Sequence, residues 1–392
     1  MNIWLLATVL LLIVGTTRAT LSPPTDKHKK DKGKYEHKKG PVEQNVFDRG
    51  LVLRDPKSAE ILKESGLYCK DTNVRHFTGE VLGYITPWNN EGLEVAKTFH
   101  SKLTSVSPVW FTLPNGNVKK FQLPSHDVQK KWLKEMRAAN SANHTVKILP
   151  RVLFEQWTPE EIVALNGDNQ KKSQLVAVLA ETAKSFQFRG YVLEIWNQFV
   201  FTGVNMKVVV SLIKSLGKRL KSKNLEVILA IPPARGPEAQ IFSQTYFDDL
   251  SPHITAFSLM TYDYSSVQRP GPNSPLEWAR ECVQKLVPND EDPRRAQILM
   301  GINFYGNNYT PEGGGPILGS QYLKLLESFK GKIQWDDRSK EHFFESRSVG
   351  SSYVFYPTLY SLKHRLDLAR ELGTGVSIWE LGQGLNYFYD LF

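Results

Sequence analysis

The sequence predicts an α/β fold, a (β/α)8 barrel, on three observations. From about Gly79 onward, short runs of β-branched and aromatic residues alternate with longer amphipathic stretches, the rhythm of strand–helix units around a parallel sheet. Eight strand-like runs fall between Gly79 and Phe392. That interval suits eight such units. A doubly wound open sheet is the alternative, but no Gly-rich dinucleotide loop follows the first strand.

The first strand candidate is 81–87, followed by the aromatic run 108–113 and by 147–154. Residues 191–196 and 226–231 are almost wholly apolar, as buried parallel strands are. Residues 254–262, 298–305 and 376–381 complete the set. Between them lie 92–103, 127–139, 171–186, 206–220 and 359–372, where apolar residues recur every three or four positions, the helical spacing. Residues 41–78 form a polar extension expected to pack on the barrel, with a helix over 58–67. The long connection from Tyr305 to Val376 exceeds one crossover and contains a Gly313-Gly314-Gly315-Pro316 loop.

The chain has 392 residues, 41% of them hydrophobic, enough for a large core and too apolar for general disorder. Residues 1–19 carry an apolar run over 3–14 and end Thr17-Arg18-Ala19, the pattern of a cleaved secretory signal. The run is shorter than the roughly 20 residues a membrane span needs, and no span is expected downstream. Much of the net charge of +9 sits in a leader, 20–40, whose stretch from Lys27 to Lys39 reads KHKKDKGKYEHKK. Such a block is a solvated, disordered segment or an arm that attracts polyanions, lipopolysaccharide among them. No nucleic-acid motif is present, and neither a cofactor nor a metal is expected.

Only Cys69 and Cys282 occur, so disulfides cannot hold the fold together; one bridge between them or two buried thiols are both open. Asn143-His144-Thr145 and Asn308-Tyr309-Thr310 have the form of glycosylation acceptors.

Residues 188–196, FRGYVLEIW, resemble the F-D-G-x-D-x-D-x-E strand of the family-18 glycoside hydrolases, the chitinases. Phe188 and Gly190 match; Arg189 and Val192 stand at Asp positions, Glu194 at the last Asp, and Trp196 at the catalytic Glu. Further segments resemble the family in order: Gly83-Tyr84 in the first strand, SLMTYDY at 258–264, GINFYG at 301–306 and GVSIWELG at 375–382. The resemblance covers 79–392 and implies a reduced α+β insertion between the seventh and eighth strands, which would lower one cleft wall. It also implies that Met260, Tyr262 and Asp263 line a sugar subsite with Trp379 as its floor. Tyr305 ends the seventh strand beside them. Tyr84, Trp88 and Trp110 either extend that aromatic platform or fill the core.

Alternation along a strand puts Val192, Glu194 and Trp196 on one, inward face. An indole has no proton to transfer near neutral pH, and Val192 carries no charge. Glu194 lies two residues, about 6.6 Å of strand, deeper than the acid's position. The family's substrate-assisted hydrolysis is therefore not expected, unless an acid has moved to Glu155, Asp263 or Glu380. Trp196 with Asn197 either plugs the abandoned pocket or adds an aromatic surface to the groove. The V-x-E-x-W-N-Q replacement resembles the non-catalytic, chitinase-like group. That likeness implies a secreted and lysosomal lectin for chitooligosaccharides, with bacterial lipopolysaccharide, a role in pathogen sensing and the receptor stabilin-1 as further implications. A hydrolase with a relocated acid and a receptor-bound scaffold without glycan affinity are the rival expectations.

Overall fold

The structure is a computed structural model that describes residues 38–89, 91–114, 120–235, 241–346 and 351–392. The signal-like segment 1–19 and the leader up to residue 37 lie outside the described residues.

The barrel strands are β1 (Val81–Ile85), β2 (Ser105–Pro108 continued by Phe111–Pro114), β3 (Lys147–Ile148 continued by Arg151–Glu155), β4 (Gly190–Glu194), β5 (Glu226–Ile231), β6 (Ala256–Leu259), β7 (Ile298–Asn303) and β8 (Gly375–Trp379). Proline has no ladder N–H, and Pro108 and Pro150 stand where β2 and β3 are interrupted. All neighbours pair in parallel. The ring closes because the first half of β2 pairs with the first half of β3 and the second half with the second.

Helices cover the outside. Asn169–Phe186 starts at the side-chain cap of Asp168, Met206–Lys221 at that of Asn205, and Leu359–Leu372 at that of Thr358. Each cap satisfies an amide that the first turn leaves free. Gly373 ends the last of these helices at φ 68°, the left-handed region that glycine enters without penalty. The bulk of the apolar core lies between barrel and helices, while a smaller cluster that includes Leu82, Leu149, Val192, Ile228 and Leu299 fills the barrel itself. The barrel is thus packed below its mouth.

Between β7 and β8 the chain builds an antiparallel sheet of five strands in the order Gly313–Ile317, Gly306–Thr310, Ser352–Phe355, Glu341–Ser346, Gln334–Asp336, together with helix Gly319–Ser328. In the 41–78 segment, Gly40–Val42 pairs in parallel with Leu67–Cys69, and helix Ser58–Glu64 follows the expected position. Arg49 donates to Glu64 at 2.8 Å, and the Cys69 amide to Asp390 at 2.9 Å, which joins this segment to the turn Asn386–Leu391.

Both cysteines are free, so the bridge that the sequence left open is not formed. Cys69 lies in the short N-terminal pair, whereas Cys282 is buried on helix Leu276–Leu286, where burial pushes its thiol up to about 12. Asn143 is exposed; Asn308 is half-buried and paired on both sides, to Gly315 and Val354. No helix among the described residues is long and apolar enough to cross a membrane.

Candidate functional site

Parallel strands direct their carboxyl ends to one rim, and there the side chains of six strands converge. Tyr84 from β1 and Trp379 from β8 meet with ring centroids 5.1 Å apart, tilted by 50°. Trp88, in the loop after β1, packs on the same cluster and is partly exposed. The Trp379 indole nitrogen is buried with no hydrogen-bond partner, a donor left for a ligand oxygen.

The segment after β6 supplies Met260, Tyr262 and Asp263. Room for the Tyr262 ring comes from Gly301 on β7: a Cβ there would lie 2.8 Å from the ring and 2.6 Å from the Leu259 carbonyl oxygen. Asp263 adopts φ 59°, which turns its carboxylate toward the Tyr305 hydroxyl, and that hydroxyl donates to it. The turn is fixed by Asn273, whose Oδ1 accepts the Asp263 amide at 2.7 Å, and by Arg235, which donates to the Asp263 carbonyl at 2.8 Å. Burial raises the Asp263 carboxyl above the usual range, opposed by the Tyr305 hydrogen bond and the Arg235 charge. Burial likewise holds the hydroxyls of Tyr84, Tyr262 and Tyr305 far above their ordinary range, so all three remain donors at physiological pH.

On β4, Val192 points into the barrel and is fully buried there. Glu194, two residues on, accepts from Arg151 of β3 at 2.7 Å, with both side chains largely covered. Asn197 sits half-buried above them, its Nδ2 4.0 Å from the Met260 sulfur and its Oδ1 buried without a partner.

Two expectations are corrected. Trp196 does not share the inward face: β4 ends at Glu194, Ile195 turns to φ −116°, ψ −39°, and Trp196 opens the short helix Trp196–Val200. The strand alternation stops there, so Trp196 swings behind the wall, fully buried against Phe242 and Tyr246, with its indole N–H on the Ile241 carbonyl at 3.2 Å. Trp110 also leaves the cleft. It lies in the break of β2 and packs outward on Trp132, 5.9 Å between centroids, while its neighbour Val109 takes the inward place.

Of the alternative acids, Glu155 is exposed at the end of β3, and Glu380 is wholly buried beneath Trp379, bonded by Asn89 Nδ2 at 2.5 Å and pushed up to about 8 by burial. Asp263 is the one carboxyl of the three that joins the Tyr262–Tyr305 group. Sequence reading missed Arg151, although a cation in the middle of a mostly apolar strand run is a signal in itself. It also missed Ser258, which accepts from the Tyr84 hydroxyl at 2.9 Å and donates to Ser377 at 3.2 Å.

The arrangement is an aromatic floor with a rim of fixed donors and one buried carboxyl, suited to a ring with C–H faces and peripheral hydroxyls. Among solved structures, the fold is similar to a chitinase from Chromobacterium violaceum, with a TM-score of 0.67 and 17% identity over 80% of this chain and 98% of that one. It is similar to a class V chitinase from Pseudomonas fluorescens at 0.64 and 20%, again over 80% and 98%. A GH18 chitinase from Cycas revoluta, solved in complex with (GlcNAc)3, matches at 0.64 and 14% over the same shares. Residues 80–384 match the glycosyl hydrolases family 18, and the chain belongs to that family.

Proposed function

We propose that this chain is a chitinase-like lectin that holds chitooligosaccharides in the barrel-end cleft without hydrolysing them. The inward face of β4 carries the reading. Its lumenal residues are apolar Val192 and Glu194, the latter engaged by Arg151 at 2.7 Å, while position 196 lies behind the wall as a tryptophan. General acid catalysis needs a protonated group within hydrogen-bond reach of the leaving oxygen, and this strand offers none. The platform of Trp379, Tyr84, Tyr262 and the Asp263–Tyr305 pair is what a pyranose stacks on and bonds to.

Signal-like residues 1–19 support a secretory route, with the lysosomal lumen as a destination in the same reading. Lipopolysaccharide as a second saccharide ligand, pathogen sensing and stabilin-1 as a receptor belong to this proposal through the resemblance to the chitinase-like group.

Titrating chitotetraose while following tryptophan fluorescence, with chromatography of the sugar afterwards, tests the reading. Saturable quenching with intact tetrasaccharide is expected. Shorter sugars in a clean preparation would show a relocated acid, and Asp263 would be the first to replace. Absence of binding on a broad glycan array would leave the scaffold reading.

A further inference from the structure

The amino-terminal ends of the barrel strands, opposite the cleft, hold a cavity of about 870 Å³. Lys147 is the first residue of β3, Arg189 immediately precedes β4, and Leu225 immediately precedes β5, so the cavity opens on the rim where these strands begin. Five cations line it: Arg137, Lys147, Lys184, Arg189 and Lys223; no carboxylate is among the lining residues. Glu226, just inside, is shared by Lys147 at 3.0 Å and Arg189 at 3.1 Å, so a single negative charge faces two of the five. Arg137 is held in place by the Phe186 carbonyl at 2.9 Å.

The neutral lining adds hydrogen-bonding groups. Gln187 and Asn224 occupy left-handed turns, φ 57° and 58°, at the ends of the helices leading into β4 and β5, and both side chains are exposed. The large apolar residues of the lining, Val146, Ile148, Phe188 and Leu225, are buried. No exposed aromatic or large apolar side chain lines it to insert between lipid chains. A concave, like-charged wall concentrates field and draws in anions. The volume exceeds one sulfate, and several cations beside two exposed amides suit more than one anionic group carried on a hydroxyl-rich chain.

We propose that this cavity is a second saccharide site, separate from the barrel-end cleft, that takes sulfated oligosaccharides through the cations of its rim. The sulfates pair with Lys184, Lys223 and Arg189 at the rim, and sugar hydroxyls bond Gln187 and Asn224.

The probe is a heparin-derived hexasaccharide, measured by calorimetry on the full chain in 0.15 M NaCl. All proteins carry Asn143→Gln, because Thr145 of that sequon lies on the cavity wall. Lys184→Glu/Lys223→Glu exchanges two exposed residues and should leave the melting temperature unchanged. We expect it to weaken hexasaccharide binding about tenfold or more, since each reversed charge turns attraction into repulsion, while chitotetraose affinity is retained. A second variant, with Lys29, Lys30, Lys38 and Lys39 changed to Gln, should lose far less. A loss within threefold for the cavity variant, equal binding of the desulfated hexasaccharide, or a loss confined to the leader variant would overturn the proposal.

Discussion

Arg151 and Glu194 reach across β3 and β4 to make an ion pair of 2.7 Å at the base of the cleft, with side chains only 14% and 18% exposed. A pair so enclosed is costly to split, because the remaining charge has no water to replace its partner. Arg151→Met should therefore destabilise the fold by about 2 kcal/mol. Adding Glu194→Gln removes the stranded charge, and the double variant should recover at least half of that loss in urea denaturation. Additive losses would mean that the two residues stabilise the barrel independently.

The two tryptophans differ in what they support. Trp379 is 8% exposed and packs on Tyr84 at the barrel mouth, so Trp379→Ala should cost about 3 kcal/mol of stability and lower chitotetraose affinity about tenfold in the folded fraction through lost stacking. Trp196 is sealed against Phe242 and Tyr246, and Trp196→Ala should cost about 3–5 kcal/mol of stability. Trp196→Glu should not yield cleavage of chitotetraose, because residue 196 does not face the lumen. Released disaccharide from that variant would contradict the placement of the Trp196–Val200 helix.

Most of the barrel is legible in the sequence because its signal is local: the apolar pattern alone bounds 226–231 and 359–372, and the structure has the same limits. The inward face of β4 is legible where strand alternation persists, as at Val192 and Glu194, whereas the place of Trp379 is legible only through the family resemblance of its segment. Alternation fails just past β4 and in the break of β2. Ile195 leaves the extended region and carries Trp196 outward, and the Trp110 amide bonds back to Pro108 at 3.0 Å in the break of β2. Contacts made by residues far apart in sequence leave no local trace; Asn273 and Glu341, 68 positions apart, are the example that matters for Asp263.

Glu380 sets an alkaline limit. Its carboxyl rises from 4.5 to about 8 on burial, so between these values the folded state holds a proton that the unfolded chain has lost. Stability from this group is full below pH 4.5 and falls as pH rises toward 8. His342 runs the other way: buried and lowered from 6.5 to about 4, it loses stability as pH falls through that window. The two oppose each other below pH 6.5, and above it Glu380 acts without His342. From pH 6.5 to 8, urea stability should decline by up to about 2 kcal/mol, and Glu380→Gln should flatten that decline. An unchanged slope in the variant would assign the effect elsewhere.

Glu341, on the insertion sheet, governs a cleft residue without lining the cleft. Its carboxylate accepts the amides of Asn273 at 2.9 Å and Ser274 at 2.6 Å and pairs with buried Arg365 at 3.0 Å. Asn273 in turn holds the Asp263 amide at 2.7 Å in its left-handed turn. Glu341→Gln keeps the shape but leaves the Arg365 guanidinium without its counter-charge, at a cost of about 3 kcal/mol. The Asn273 turn loses a charge-assisted anchor, so Asp263 and Tyr305 should no longer be held in one geometry. Chitotetraose affinity should therefore fall severalfold in the folded fraction, whereas Arg54→Ala, which removes an exposed ion pair with Asp337 on the same insertion, should leave it unchanged. Equal affinities in the two variants would show that Asp263 keeps its position without the insertion's support.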